Sequence, residues 1–495
     1  MSLLSIATAR RSLSIAVPAW VWVGAGALLL VLLQGTMMLR DTDTYWQLRV
    51  GQWILENRAL PQVDVFSLTR AGAPWMSSSW LSQVLFAELY AAFGWGGLVA
   101  ISALAIAATF ALLTAVLARR LPASYASMVA IMAFALSAQH FLARPHVLVM
   151  PLMVAWVAGL IAASDRRAAP SFALLPLIAL WANLHGGFVL GLALMAPIAL
   201  DALWNADAPR RVPLALRWAG FAVAAVAASC ATPYGWNALL AAHKILDLGE
   251  LLTLISEWAP VSFGTFGLFE GCLLALIGAA LLSGLKLSPT RIVLALGLLH
   301  MALNHTRNIE VFALLLPIVL AAPVAAQLLP RDVPAPSGAG TTPYWPATVL
   351  ALLVACALGA AVATARDYRP ADGERYAAAI AALRDHHAAR VFNDYGFGGY
   401  MIFAGMAPFI DGRAELYGEQ FALAHLHATS LADPAAFFRL LDDQRIDATI
   451  MYPTTPAARL LDHVDGWTRV FASDLAVIHV RTAPVSDAPH RIRAD

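Results

Sequence analysis

"IAVPAWVWVGAGALLLVLLQGTMMLRDTDTYWQLR", residues 15–49, joins a long apolar run to a short polar segment with two carboxylates. A run of about 20 apolar residues is long enough to cross a bilayer as a helix. Asp41 and Asp43 stand where this first run ends, in a chain of which only 13% of the residues are charged. The stretch therefore predicts a first membrane helix with a pair of carboxylates at its exit.

The composition of the whole chain agrees with a membrane protein. Of its 495 residues, 60% are hydrophobic, and the mean hydropathy is +0.69, whereas soluble domains contain roughly 45–50% apolar residues. The net charge of +1 and the absence of a dense basic stretch argue against nucleic acid as a partner. Three cysteines, an odd number, lie in apolar segments and argue against a disulfide framework.

The apolar runs predict a polytopic α-helical protein with about eleven membrane spans. Arg10 and Arg11 precede the first run as in a signal peptide, but the run is too long for one and no clean cleavage site follows, so we expect an uncleaved helix. The eleven runs lie near residues 15–37, 94–117, 123–142, 147–163, 171–184, 186–204, 214–231, 264–284, 290–304, 309–329 and 346–365.

Lysine and arginine in the loops predict the orientation. Twelve of these residues fall on the side of the N-terminus and seven on the opposite side, which favours a cytoplasmic N-terminus. An odd number of spans then places the C-terminal region outside. We expect a transmembrane domain at residues 1–365, with a large first outer loop at 38–93, and an outer domain at 366–495.

The C-terminal region has the pattern of a small α/β domain. Helical periodicity at 373–388 precedes a strand at 389–393, and a further helix is expected after Gly396. "APFID" (407–411) and "DATIMY" (447–452) predict strands, and 467–481 predicts a closing hairpin. The Pro- and Gly-rich stretch 330–346 predicts a flexible cytoplasmic connector.

Polar residues gather at the predicted outer ends of the helices, where a shared aqueous cavity would lower the cost of their charges. They are Asp41, Asp43, Arg144, His146, Asn183, His185, Asn304, His305 and Arg307. For most of them a local role as an anchor, cap or turn residue is equally open. Two carboxylates two residues apart can bind one divalent cation, or one of them can act as a base. An arginine such as Arg307 suits a phosphate.

Aromatic residues follow the two carboxylates. Tyr45 and Trp46 begin an amphipathic stretch, and a second such stretch covers residues 80–92. Both predict helices that lie along the outer interface and frame a groove.

Two motifs resemble those of oligosaccharyltransferase catalytic subunits, which are membrane glycosyltransferases of the GT-C class. "DTYWQLR", from Asp43 to Arg49, is similar to the first outer-loop motif of that family. "FNDYGFGGYMI", from Phe392 to Ile402, resembles its WWDYG motif, with Phe392 and Asn393 in place of the two tryptophans. "DGRAELYG", from Asp411, follows at a similar distance. The missing tryptophans place protein N-glycosylation in doubt, and uncharacterised bacterial membrane proteins of GT-C type look more similar.

The resemblance implies transfer of a sugar or glycan from a polyprenyl phosphate or diphosphate carrier to a glycan, lipid or protein at the outer face of a bacterial inner membrane. Asp43 would be the base or orienting carboxylate and Asp41 its partner. The donor phosphate is expected to meet Arg307, His305, Arg144 and His146. Pocket residues would be His185, Asn183, Trp46, Tyr45 and Arg49, and the acceptor side would hold Asp394, Tyr395, Asp411 and Arg413. For Asp394, Asp411 and Arg413 a structural role is also open, in which Asp394 begins a turn and Arg413 pairs with a neighbouring carboxylate.

Two questions stay open at the level of the sequence. Oligosaccharyltransferases use a divalent metal ion whereas several other GT-C enzymes do not, so Mg²⁺ or Mn²⁺ on Asp41 and Asp43 is one alternative. A transporter or flippase for a lipid-linked sugar, or a non-catalytic scaffold subunit, would also suit a polytopic chain. Transporters favour internal repeats and charges at mid-membrane, whereas here the polar residues gather at one surface.

Overall fold

The computed structural model describes residues 17–240, 257–329 and 345–482. The predicted connector and the extreme N-terminus lie outside these residues. The helices that coincide with the eleven predicted runs are Ala19–Leu33, Trp95–Leu117, Ala123–Ser137, Pro145–Asp165, Leu175–Leu184, Phe188–Ala193 with Met195–Trp204, Ala208–Ser229, Leu268–Ser283, Pro289–Asn304, Asn308–Leu328 and Trp345–Ala365.

Five of these helices are long and apolar enough to cross a membrane. They are Trp95–Leu117, Pro145–Asp165, Ala208–Ser229, Asn308–Leu328 and Trp345–Ala365. The other runs form shorter helices, and the run at 186–204 is divided into two. The chain is therefore a helical membrane protein, and the count of eleven spans stays a prediction.

Small residues let the first helices approach closely. A Cβ atom at Gly24 would lie 2.9 Å from the Cβ of Ala111, so the helix Ala19–Leu33 packs tightly on Trp95–Leu117. Trp156 is fully buried and donates through Nε1 to the carbonyl of Gly191 at 2.8 Å. Such packing fixes the relative positions of the helix ends that carry the polar residues.

One end of the helical bundle is held by a buried ion pair. Arg291 Nε lies 3.0 Å from Asp201 Oδ2, and the same guanidinium pairs with Asp165. Ser288 and Thr290 donate to Asp201 Oδ1 at 2.6 and 2.7 Å, so both oxygens of this carboxylate are engaged. These contacts tie the helices at the end opposite Asp43.

The C-terminal region contains a four-stranded sheet. Strands β1 (Val391–Asn393), β2 (Ala448–Met451), β3 (Trp467–Ala472) and β4 (Val477–Arg481) lie in the order β1-β2-β4-β3, with β1 and β2 parallel and the other pairs antiparallel. The accompanying helices are Gly373–Asp385, Gly398–Phe403, Ala414–Tyr417, Glu419–Thr429, Pro434–Asp443 and Pro456–Leu461.

The strand predicted at "APFID" is wrong. These residues make no ladder because the Asn393 side chain and the outer loop take their hydrogen bonds. Asn393 accepts from the backbone N–H of Phe409 at 2.7 Å and donates to the carbonyl of Ile410 at 2.8 Å. From the outer loop, Leu68 N donates to Pro408 O at 2.8 Å and Thr69 Oγ1 to Phe409 O at 2.7 Å.

A buried ion-pair cluster joins the loop at residues 58–79 to the C-terminal region. Arg413 binds Asp411 through Nε and NH2 at 2.8 and 2.7 Å, and it reaches Asp64 through NH1 at 2.6 Å. All three side chains are 0% exposed, and Tyr417 donates to Asp411 at 2.6 Å. Of the two roles considered for Asp411 and Arg413, the structure favours the structural one over the acceptor side, because both side chains are enclosed and Arg413 pairs with the neighbouring Asp411.

The two stretches predicted to lie along the outer interface are the helices Asp43–Asn57 and Trp80–Phe93. A Cβ at Gly51 would overlap the carbonyl of Gln83, so the two helices touch backbone to backbone. Tyr45 points away from the carboxylates, and its ring packs on Tyr400 at 4.8 Å and on Trp95 at 5.3 Å between ring centroids. The assignment of Tyr45 to the pocket lining is thus corrected.

We expect the buried arginine cluster to be a main source of stability for the outer part of the molecule. Arg413→Ala leaves two enclosed carboxylates without their cation and should cost about 3–5 kcal/mol. Arg375→Ala is the matched control, because its pairs with Asp372 and Asp474 are exposed and are worth less than about 1 kcal/mol. Thermal unfolding of the purified protein in detergent, followed by tryptophan fluorescence, measures both; equal shifts would contradict the assignment.

Candidate functional site

The exit of the first helix is fixed by hydrogen bonds to a distant loop. Ala143 N donates to the carbonyl of Met38 at 2.8 Å, and Thr44 Oγ1 donates to the carbonyl of Ala143 at 3.2 Å. Asp41 accepts the backbone N–H of Asp43 on Oδ1 at 2.8 Å, which orders the start of the following helix. These bonds bring both carboxylates to Arg144.

Arg144 bridges three carboxylates. Its NH1 lies 2.8 Å from Asp41 Oδ2 and 2.8 Å from Glu257 Oε1, and its NH2 lies 2.8 Å from Asp43 Oδ2. The guanidinium is 19% exposed. Both terminal nitrogens of the guanidinium bind these carboxylates, so the assignment of Arg144 to the phosphate of the sugar donor is corrected. The cluster keeps an excess of negative charge because one cation faces three anions.

The second oxygen of Asp43 is also engaged. Trp46 donates through Nε1 to Asp43 Oδ1 at 3.0 Å, so this predicted pocket residue contacts the carboxylate directly. Gly412 of the C-terminal region lies so close that a Cβ there would overlap the same oxygen. Burial raises the pKa of Asp43 to about 7; Arg144 opposes this rise and the nearby Asp41 adds to it.

Of the two arginines at this site, Arg307 forms fewer polar side-chain contacts than Arg144 among the described residues. Its guanidinium lies 4.4 Å above the ring centroid of Trp258, and among the described residues it forms no ion pair. Its backbone N–H donates to the carbonyl of Glu257 at 3.1 Å. His305 contacts the carbonyl of Trp258 through Nδ1 at 2.6 Å. His305 and Arg307, both in "NHTRN", are therefore anchored to the segment that carries Glu257.

The histidines predicted at the site are neutral or locally bonded. Burial, helped by the charges of Arg307 and Arg144, lowers the pKa of His185 to about 3. His185 Nδ1 accepts the backbone N–H of Gly187 at 3.0 Å. His146 Nε2 lies 2.9 Å from the carbonyl of His140. The charges of both arginines therefore act on His185, and one of its ring nitrogens is hydrogen-bonded within its own turn.

Two other predicted residues, Asn183 and Arg49, have structural roles. Asn183 accepts from Trp80 Nε1 at 3.0 Å and donates to the carbonyl of Ala231 at 2.9 Å, so it holds a turn. Arg49 pairs with Glu56 at 2.7 Å on an exposed face. Their assignment to the pocket lining is corrected, because each side chain is spent on a contact away from Asp43.

Two predicted residues of the C-terminal region, Asp394 and Tyr395, have different surroundings. Asp394 Oδ2 accepts from Tyr452 N at 2.8 Å and Thr455 Oγ1 at 2.5 Å, so its acceptor-side assignment is corrected. The neighbouring Tyr395 lies near Asp43: burial, followed by the charge of Asp43, raises the pKa of Tyr395 well above its ordinary value. The tyrosine therefore interacts electrostatically with Asp43, whereas both hydrogen bonds of the aspartate are to Tyr452 and Thr455.

Two acidic residues at the site were missed by the sequence analysis. Glu257 binds Arg144, and Glu310, near Arg307, has a buried Oε2 without a hydrogen-bond partner among the described residues. The sequence alone could have indicated Glu310, because an ionisable residue inside an apolar helix is by default a candidate functional residue. Glu257 gave none, since it stands between two apolar runs, where loop residues are normally charged.

The metal alternative does not fit the arrangement. The Arg144 guanidinium stands between Asp41, Asp43 and Glu257, in the space a cation would need. Across the described parts of the chain, no three side chains of His, Cys, Asp or Glu are grouped closely enough to hold a metal ion. A divalent ion on Asp41 and Asp43 would require the guanidinium to move.

Comparison with known proteins gives the fold. No protein-family model and no curated protein matches the chain. Among solved structures, the archaeal oligosaccharyltransferase AglB of Archaeoglobus fulgidus, in complex with an inhibitory peptide and a dolichol-phosphate, is similar with a TM-score of 0.55 and 11% identity, over 87% of this chain and 69% of that one. The chain has the fold of an oligosaccharyltransferase.

This GT-C fold confirms the resemblance drawn from "DTYWQLR" and "FNDYGFGGYMI". A second structure, of the Archaeoglobus fulgidus oligosaccharyltransferase in complex with Zn and sulfate, has a TM-score of 0.44 and 10% identity, over 92% of this chain and 73% of that one. At such identities the likeness describes the arrangement of the chain, and the chemistry must be argued from the side chains.

The raised pKa of Asp43 predicts a pH dependence of stability. The carboxyl binds its proton more tightly in the folded chain than in the unfolded one, whose pKa stays near 3.8. Its contribution is therefore fully present below about pH 4 and is lost as the pH rises through about 7. Asp43→Asn removes this ionisation, so the melting temperature of the variant should gain on that of the wild type from about pH 4 to about pH 7, and the difference should change little above about pH 8.

Exposed Glu56→Gln serves as the control in the same pH series, and it should keep the wild-type dependence. A constant offset between Asp43→Asn and the wild type across this range would contradict the raised pKa.

Proposed function

We propose that the protein is a membrane glycosyltransferase that moves a sugar or glycan from a polyprenyl phosphate or diphosphate carrier to an acceptor at the outer membrane face. The observation that carries this proposal is the Asp43 carboxylate, held between Arg144 and Trp46 at the convergence of distant segments. The oligosaccharyltransferase fold supports the same class of chemistry.

Asp43 is suited to accept a proton from the acceptor. A general base works best when its pKa lies near the operating pH, and burial sets that of Asp43 to about 7. The acceptor hydroxyl or amine attacks the anomeric carbon of the donor, its proton passes to Asp43, and the bond from that carbon to the phosphate oxygen breaks. Asp41 orders the start of the Asp43 helix and shares Arg144 with it.

Arg307 is suited to the donor phosphate. A guanidinium without an ion pair can offer two parallel N–H donors to phosphate oxygens, and its charge grows in value as the leaving group becomes negative. Trp258 supports the guanidinium from one face, and His305 is fixed to the same segment. Arg307 also interacts electrostatically with Asp43, so base and phosphate site lie on one cluster.

The proposal includes the orientation inferred from the loop charges. The polar cluster would lie on the outer side of a bacterial inner membrane, with the N-terminus in the cytoplasm and residues 366–495 forming a periplasmic domain. A lipid-linked donor fits this position, because its tail stays in the bilayer while its phosphate reaches the surface. Tyr395, which reaches Asp43 from the C-terminal region, would then stand on the acceptor side.

Asp43→Asn should abolish transfer. Loss of a positioned base costs about 10²–10⁴-fold in rate, and the asparagine preserves the size of the side chain. Protein reconstituted in liposomes with a radiolabelled polyprenyl-linked sugar and cell-envelope extract reports transfer as loss of label from the lipid. Exposed Glu56→Gln is the control and should retain wild-type turnover. Undiminished transfer by Asp43→Asn would sink the assignment and favour a transporter or a non-catalytic scaffold.

Arg307→Lys should weaken donor use while the fold is preserved. The lysine keeps the charge but loses the bidentate donors, so we expect the KM for the lipid-linked donor to rise by roughly tenfold, about 1.4 kcal/mol. Arg49→Lys is the matched control, because the Arg49 side chain, 27% exposed, is already paired with Glu56. Unchanged donor KM in Arg307→Lys would place the phosphate elsewhere.

A further inference from the structure

The carboxylate cluster carries its own cation in place of a metal ion. Arg144 makes three contacts of 2.8 Å, one to each of Asp41, Asp43 and Glu257. Carboxylate oxygens contributed from separate segments are what a divalent ion binds. Here a side chain of the same polypeptide fills the space among them.

We propose that Arg144 is a built-in substitute for a divalent cation, and that the native protein does not bind a metal ion at Asp41 and Asp43. The guanidinium is held rigidly because its NH1 serves two carboxylates and its NH2 a third. It cannot be deprotonated at any working pH. The positive charge at this site is therefore permanent and independent of metal supply.

Electrostatic repulsion disfavours a divalent metal ion and the Arg144 guanidinium at the same site. A metal ion on Asp41 and Asp43 would lie within a few ångströms of the guanidinium, and a divalent ion at about 4 Å from a unit positive charge is repelled by about 8 kcal/mol at an effective dielectric constant of 20. Arg307 adds a second positive charge on the same cluster, since it interacts with both Arg144 and Asp43. Displacement of Arg144 would also leave a half-buried guanidinium without partners.

The surroundings of Arg144 give it no easy alternative position. The residue precedes Pro145 at the start of the helix Pro145–Asp165 and has an extended backbone, as residues before proline do. The flanking Ala143 is bonded through its N–H to Met38 and through its carbonyl to Thr44. The backbone on both sides is thus fixed, and the side chain points at the carboxylates.

Arg144 also positions Asp43. By holding Oδ2 it leaves Oδ1, which accepts from Trp46, as the oxygen nearest Gly412 and the C-terminal region. Under the proposed function, on which this step rests, the guanidinium holds the Asp43 carboxylate in the place where a metal ion would otherwise hold it.

Metal binding tests the inference without any measurement of transfer. Full-length protein in detergent is titrated with Mn²⁺ and the free ion is followed by electron paramagnetic resonance. We expect no site in the wild type that depends on Asp41 or Asp43. Arg144→Ala vacates the space among three carboxylates and should bind Mn²⁺ at least about tenfold more tightly than the wild type. Arg144→Ala combined with Asp41→Asn should lose that gain.

Thermal unfolding gives a second readout. Mn²⁺ should raise the melting temperature of Arg144→Ala, because a ligand that binds only the folded state stabilises it, and it should leave the wild type unchanged. If Arg144→Ala does not fold, Arg144→Gln, which fills more of the space, takes its place. Wild-type Mn²⁺ binding that disappears in Asp43→Asn would overturn the inference whatever the variants do.

Transfer assays separate the two proposals. Transfer by the wild type that survives treatment with a chelator supports both the glycosyltransferase assignment and the role of Arg144. Wild-type protein that transfers no sugar but shows the expected Mn²⁺ pattern would overturn the function alone. Transfer that requires Mn²⁺ or Mg²⁺, with binding lost in Asp41→Asn, would overturn the metal substitution and leave the glycosyltransferase standing.

Discussion

The contact between one guanidinium and three carboxylates determines the geometry of the candidate site. Arg144 draws Asp41, Asp43 and Glu257 together from segments that are 103 and 113 residues away along the chain. Three anions around one cation are not electrically satisfied, so burial shifts the pKa of Asp43 upward despite a direct ion pair. The same imbalance that costs stability gives the carboxylate a proton affinity useful near neutral pH.

The C-terminal region completes this arrangement. Gly412 lies against Asp43, and the residue that follows it, Arg413, is locked to Asp64 of the first outer loop. Only glycine permits this approach, because any side chain at that position would collide with the carboxylate. The buried ion pair and the close approach are one residue apart, so the contact that joins the two parts of the chain also sets the distance from the C-terminal region to the candidate base.

The sequence predicted the elements better than the contacts. Apolar runs located the helices, and "DATIMY" and the closing hairpin became strands, because periodicity and length report burial directly. "APFID" misled because its hydrogen bonds go to Asn393, 14 or more residues away, which no local pattern reveals. At the site, Asp43, Trp46 and Arg307 were identified by residue type. Arg144 was also found, but its partners were not, because ion pairs between distant segments leave no trace in spacing.

The second motif, "FNDYG" at residues 392–396, differs from the family motif in its first two residues. In oligosaccharyltransferases the two tryptophans before the aspartate help to recognise the acceptor, whereas here Phe392 is enclosed and stacks on His425 at 5.0 Å, and Asn393 bonds to residues 409 and 410. Neither side chain is available to a substrate, and Asp394 is spent on Thr455. Tyr395 is the member of "FNDYG" that stands near Asp43. The side chains of Phe392, Asn393 and Asp394 are thus used in contacts within the C-terminal region, and those contacts hold the motif in the fold.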